Sequence, residues 1–204
     1  MQKEANIYTS RAGLTLMEVL VSMAILVSVM LYIGDFMVTI LDFQSYLSPT
    51  FETQQELQAT VTDMSIHLRT MNYSSLGGYP IASVGTSSIT FFTDADSDGL
   101  YEQIRYFLTG NTMKKGVLKP TGNPLVYNAA NEVTYDVIHN IVSTSSIFSF
   151  YNSSYTGTEA PMTYPIDISQ IKVIGVSIAS QRADQETPIY ASVKATPRNI
   201  TITF

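Results

Sequence analysis

The chain of 204 residues contains no cysteine. No disulfide can brace it, no thiolate can act as a nucleophile, and no cysteine-borne lipid can anchor it. Histidine occurs only as His67 and His139, far apart in sequence and outside any metal-ligand spacing. A Walker loop, a G-x-S-x-G elbow and a G-x-G-x-x-G turn ahead of a helix are all missing. A triad through His139 has no sequence support, so the chain reads as non-enzymatic. Charged residues are scarce at 14%, and the net charge is −6. Phosphate binding needs a basic stripe, so nucleic acid is not an expected partner. The one basic cluster, Lys114, Lys115 and Lys119, reads as a solvated loop. No internal repeat is present. Few charges and many Ser, Thr, Asn and Tyr point to an exported, β-rich surface.

What the chain does have is a long apolar run near its start. From Leu14 to Leu41 the sequence is apolar except for Glu18, Asp35 and a few small polar residues. About 20 residues cross the hydrocarbon of a bilayer as a helix. At about 1.5 Å per residue, Glu18 lies about 6 Å and Asp35 about 32 Å along from Leu14, so the two acids bracket one bilayer thickness. Lys3 and Arg11 precede the run, and no Lys or Arg recurs until Arg69. By the positive-inside rule the amino terminus stays cytoplasmic and the remainder is exported. After Leu31 the chain reads YIGDFMVTILDF, which offers no small-x-small cleavage site, so the anchor is expected to remain attached. A lone carboxylate in such a segment costs roughly 2.5–3.5 kcal/mol on insertion scales, so Glu18 needs a partner.

The residues Gly13-Leu-Thr-Leu-Met-Glu18-Val-Leu-Val-Ser22 resemble the class III signal of type IV pilins and type II secretion pseudopilins. In that family a Gly precedes a Phe-Thr-Leu-Ile-Glu-like run; Leu14 here replaces the usual Phe. The resemblance implies cleavage between Gly13 and Leu14 by prepilin peptidase, on the cytoplasmic side, and N-methylation of Leu14. It also gives Glu18 a partner, the α-ammonium of a neighbouring subunit's Leu14, so that the pair sets register in a filament. The remainder is similar in pattern to PilW-type minor pilins and the J-type pseudopilin, over Gln58–Tyr73, Ile89–Leu108, Ile141–Tyr151, Ile171–Ala179 and Val193–Ile200. The implied function is a structural subunit of a pilus or pseudopilus, at its tip or priming it. Implied partners are other major and minor pilins or pseudopilins and the inner-membrane assembly platform. Implied location is the inner membrane, single pass, with the carboxy-terminal domain exported.

Residues 1–13 are thus expected as a leader, 14–41 as a membrane helix, 42–75 as its exported continuation and 76–204 as a β-rich domain. Ser48-Pro49 marks a kink or a helix restart. Leu57, Val61, Met64, Leu68 and Met71 recur at spacings of four and three, one apolar stripe of a helix on a core. His67 beside it reads as a surface or boundary histidine. Past Leu76-Gly-Gly-Tyr-Pro, β-like runs are expected at Ser88–Phe92, Gln103–Leu108, Gly116–Leu118, Ile147–Tyr151, Ile171–Ala179 and Ala191–Thr203. Glu132–Asn140 fits a helical turn or a strand equally. One long helix followed by strands alone gives an α+β fold, the helix packed against an antiparallel sheet. About 160 residues beyond Leu41 are enough to bury close to 70% of the unfolded chain's surface in one core.

Between two of these runs lies Asp94-Ala-Asp96-Ser-Asp98-Gly99-Leu100-Tyr-Glu102. Oxygens at positions 1, 3 and 5, a Gly at 6, a carbonyl from Leu100 at 7 and Glu102 at 9 match the first half of a calcium loop. Position 12 is Arg105 where an EF-hand has Glu, and the loop joins strands, so this is not an EF-hand. Calcium is the candidate cofactor; a bare hairpin tip with turn-forming Asp and Gly is the alternative. Glu102 shares parity with Ile104, Tyr106 and Leu108, which points it inward at the base of the loop.

Overall fold

A computed structural model of the protein describes residue 13 and residues 15–142, 146–183 and 187–200; for residues 45–50 it describes the backbone alone. It divides into two compact units, one up to Pro49 and one from Thr50. One helix, α1 (Leu16–Thr70), supplies residues to both. Its backbone is helical through Ser48 and Pro49, so no separate helix restarts there.

In the first unit, α1 from Leu16 to Gln44 is long and apolar enough to cross a membrane. Its described side chains are exposed, Leu16, Leu31 and Tyr32 among the most open. Its serine and threonine hydroxyls are satisfied within the helix. Ser22 donates to the Glu18 carbonyl at 2.7 Å, Ser28 to Ala24 at 2.9 Å and Thr39 to Asp35 at 3.0 Å. Such back-bonding satisfies each of these three donors, as an apolar solvent requires.

In the second unit the stripe on α1 is core. Leu57, Met64 and Leu68 are fully buried, Val61 nearly so, and Met71 follows them just past the helix. At the end of α1 the Thr70 hydroxyl bonds back to the Ile66 and His67 carbonyls of its own last turn. The chain is then captured by the sheet, Asn72 N–H donating to the Phe92 carbonyl at 2.9 Å. The helix therefore stops at Thr70 and not at residue 75.

Five strands form an antiparallel meander in sequence order: β1 (Ile81–Val84), β2 (Ser88–Thr93), β3 (Glu102–Thr109), β4 (Thr112–Leu118) and β5 (Val133–Ile138). A second, three-stranded antiparallel sheet holds β6 (Phe148–Tyr151), β7 (Val173–Ser180) and β8 (Ile189–Ala195). The fold is α+β. Glu132–Asn140 resolves as strand β5, paired to β4. The last strand ends at Ala195, ahead of Pro197, which cannot donate to a ladder; its expected extension to Thr203 runs past Ile200, beyond which residues lie outside those described. β3 alternates as its pattern demands, Glu102, Ile104 and Tyr106 inward. On the other face Arg105 lies over the Phe107 ring and pairs with Glu132 at 2.7 Å. Glu132 reaches it across Gly116, the β4 partner of Arg105, where a Cβ would collide with the Glu132 carboxylate.

Lys114 and Lys115 are not in a solvated loop. Both lie in β4, Lys114 bonded to Asp136 at 2.7 Å and Lys115 to Asp63 of α1 at 3.1 Å. His67 is not at the surface either. It is buried, its Nδ1 3.2 Å from the Tyr106 hydroxyl, 3.4 Å from Asp63 and 3.5 Å from the Lys115 ammonium.

Candidate functional site

The amino-terminal motif and the acidic loop belong to different units, and each stands on its own geometry. In the first, Thr15 caps α1. Its hydroxyl accepts from Glu18 N–H at 3.3 Å, and its carbonyl accepts from Glu18 and Val19 N–H at 3.0 and 3.2 Å. Thr15 and Glu18 have the spacing of a capping box, which places the acid in the first turn, at the positive end of the helix dipole. Glu18 is exposed, and so is Gly13. Leu14, expected as the processed residue, lies outside the described residues. Thr15 was not singled out from sequence, although T-x-x-E ahead of an apolar run is itself a helix-start signal.

The second site is the connection between β2 and β3, residues 94–101. Thr93 pairs with Glu102 at its base. Asp94 folds the loop onto itself, its two carboxylate oxygens accepting from Asp98 and Gly99 N–H, each at 3.1 Å. Asp98 Oδ1 accepts from Leu100 N–H at 2.8 Å. Ser97 and Gly99 take left-handed backbone, φ +62° and +88°, and Gly99 supplies the freedom the sharp turn needs. The loop is fastened at Tyr101, whose N–H donates to the Ser75 hydroxyl and whose carbonyl accepts from the Tyr127 hydroxyl at 2.6 Å. Asn72, just past the end of α1, donates to the Tyr101 hydroxyl at 2.8 Å.

Glu102 is 1% exposed. One carboxylate oxygen accepts from Ala95 N–H at 2.8 Å, and the other, Oε1, has no hydrogen-bond partner among the described residues. Burial pushes the carboxyl above the usual range, the Ala95 bond opposing and the neighbouring Asp96 adding to the rise. A buried carboxylate oxygen with no donor is costly. Asp94, Asp96 and Glu102 each offer an oxygen, and these three lie within 4.8 Å of one another. Two oxygens on opposite sides of a calcium ion stand about 4.8 Å apart, twice a bond of roughly 2.4 Å. The three residues are thus an acidic group with the dimensions of a cation site.

Lys119 completes the picture. Its ammonium bonds Asp96 directly and lies 3.4 Å from Asp98. That contact holds the Asp96 carboxyl below its ordinary range and raises the Lys119 ammonium above its own. Of the sequence-expected ligands, the fold gathers Asp94, Asp96 and Glu102. Asp98 caps Leu100 and faces Lys119 instead, and Leu100 enters the loop through its N–H. Lys119 was not foreseen as part of this site. Hairpin register could have found it: about the two-residue turn Gly110-Asn111, Leu118 falls opposite Gln103, and Lys119 next opposite Glu102.

Taken together, the chain is an α+β protein with one amino-terminal helix long and apolar enough to cross a membrane and an acidic group at one sheet turn. No protein-family model matches it, and no curated protein matches it.

Proposed function

We propose that this protein is a minor pilin or pseudopilin, a non-enzymatic subunit that enters a short filament from the inner membrane. The observation carrying this is Glu18 in the first turn of a helix of membrane length, five residues past Gly13. An acid at that depth is a liability to an isolated anchor and an asset to a filament, where a neighbour's amine can neutralise it. An antiparallel sheet domain following the apolar helix supports the same reading. Prepilin peptidase is the proposed processing partner, and other pilins and the assembly platform the structural ones. Cleavage after Gly13 creates the Leu14 ammonium that Glu18 meets.

Mass spectrometry of the mature protein tests the processing: an N-methylated Leu14 is expected, and an intact Met1 overturns it. Glu18→Ala is expected to insert in the membrane like the parent and to enter filaments at least tenfold less efficiently. Equal incorporation, measured by immunoblot of sheared filaments, refutes the role of Glu18.

A membrane-anchored binding module is the second reading, with calcium stabilising its acidic loop. The unpartnered Glu102 oxygen favours a cation there. Such a module needs neither Gly13 processing nor Glu18, so the same two measurements separate it from a filament subunit.

A further inference from the structure

The Asp94–Glu102 loop presents a contradiction that its own side chains do not resolve. Lys119 neutralises the outer carboxylates, Asp96 and Asp98, and both of those are substantially exposed. The carboxylate that most needs a cation is Glu102, enclosed at the base with Oε1 unpartnered; the Lys119 charge reaches it, but its hydrogen bonds go to Asp96 and Asp98. The ammonium therefore sits on the side of the loop where water already serves, and leaves the interior oxygen without a donor.

We infer that the loop is a calcium-class divalent cation site, with Asp94, Asp96 and the buried Glu102 as its protein ligands, and that the ion enters by displacing Lys119 from Asp96. This deepens the calcium reading of the loop and is independent of filament assembly. An ion between the three oxygens gives Glu102 Oε1 the partner it lacks and needs the Asp96 oxygen that Lys119 now holds. Two cations cannot share that oxygen without mutual repulsion, and hard divalent ions prefer carboxylate and water oxygens. Lys119 can leave readily, because an exposed ion pair contributes little and its ammonium regains water. Asp94 also bonds the Asp98 and Gly99 N–H groups, so the loop is held folded before an ion arrives. Because Tyr101 is tied to Asn72, Ser75 and Tyr127, a filled site fastens the turn to two other segments, the one after α1 and the one after β4.

The test is calorimetric titration of calcium chloride into the detergent-purified, chelator-stripped full chain and three variants. The parent is expected to bind one ion at a dissociation constant on the order of 0.1–1 mM, as extracellular modules do. Asp96→Asn and Glu102→Gln are expected to weaken binding at least tenfold. Lys119→Met is expected to bind about tenfold tighter, since a unit charge beside the ion is removed. No heat in the parent at millimolar calcium overturns the cation site. Binding in the parent that Lys119→Met leaves equal or weaker overturns the exchange and spares the site. Parent-like binding in both acid variants overturns the ligand set. Should Glu102→Gln lose its β-sheet circular dichroism, the exposed Asp96→Asn alone decides that point.

Discussion

His67 sets a pH dependence at the scale of a single residue. Burial is the main force lowering its pKa from 6.5; the Lys115 ammonium adds to this and Asp63 opposes it. Its charged or titratable neighbours are Asp63 on α1, Tyr106 on β3 and Lys115 on β4. The folded protein thus keeps this imidazole neutral where the unfolded chain would already bind a proton. Stability is full above pH 6.5 and declines as pH falls from there through the lower folded value. Urea midpoints measured across that window are expected to fall with acidity in the parent and to fall less in His67→Gln. Matching slopes in both would remove His67 as the cause. Nothing in the sequence announced this residue as buried. Its place beside the stripe was visible, but the Tyr106 hydroxyl that makes the site habitable for an imidazole comes from a strand 39 positions away.

At the scale of elements, the carboxy-terminal half of α1 was the most legible piece of the second unit. Spacings of three and four repeat on one face of a helix whatever else surrounds it, and all five stripe residues are buried. Leu68→Ala is expected to cost roughly 2–5 kcal/mol, whereas Ile66→Ala, on the 55% exposed neighbour, should stay within about 0.5 kcal/mol. Urea denaturation of the two variants measures the contrast, and equal losses would contradict the assigned face. Strand β3 is legible by its alternation with one buried face, and β2 as a short run of β-branched and aromatic residues buried almost throughout. β1 was missed and β5 left undecided for one physical reason. β1 has only four residues, and β5, although rich in strand formers, is exposed over most of its length and shows no buried alternation, so pairing to β2 and to β4 is what defines them.

For the molecule as a whole, the division at Pro49 has a direct consequence. The unit from Thr50 holds the buried core, while Leu16–Gln44 holds the exposed apolar surface. A fragment beginning at Thr50 is therefore expected to remain in aqueous buffer with β-rich circular dichroism, and the full chain to require detergent. Aggregation of the fragment would show that its core depends on the preceding helix. By itself the sequence determined the membrane-length helix, its first-turn acid, the antiparallel α+β plan and the inward turn of Glu102. These follow from periodicity and composition, which act within a few residues. Only the tertiary structure decided that Asp96 and not Asp98 joins Asp94 and Glu102, and that His67 is enclosed. Each of those depends on which distant backbone a strand register brings alongside, and side-chain chemistry read in order along the chain does not encode that distance.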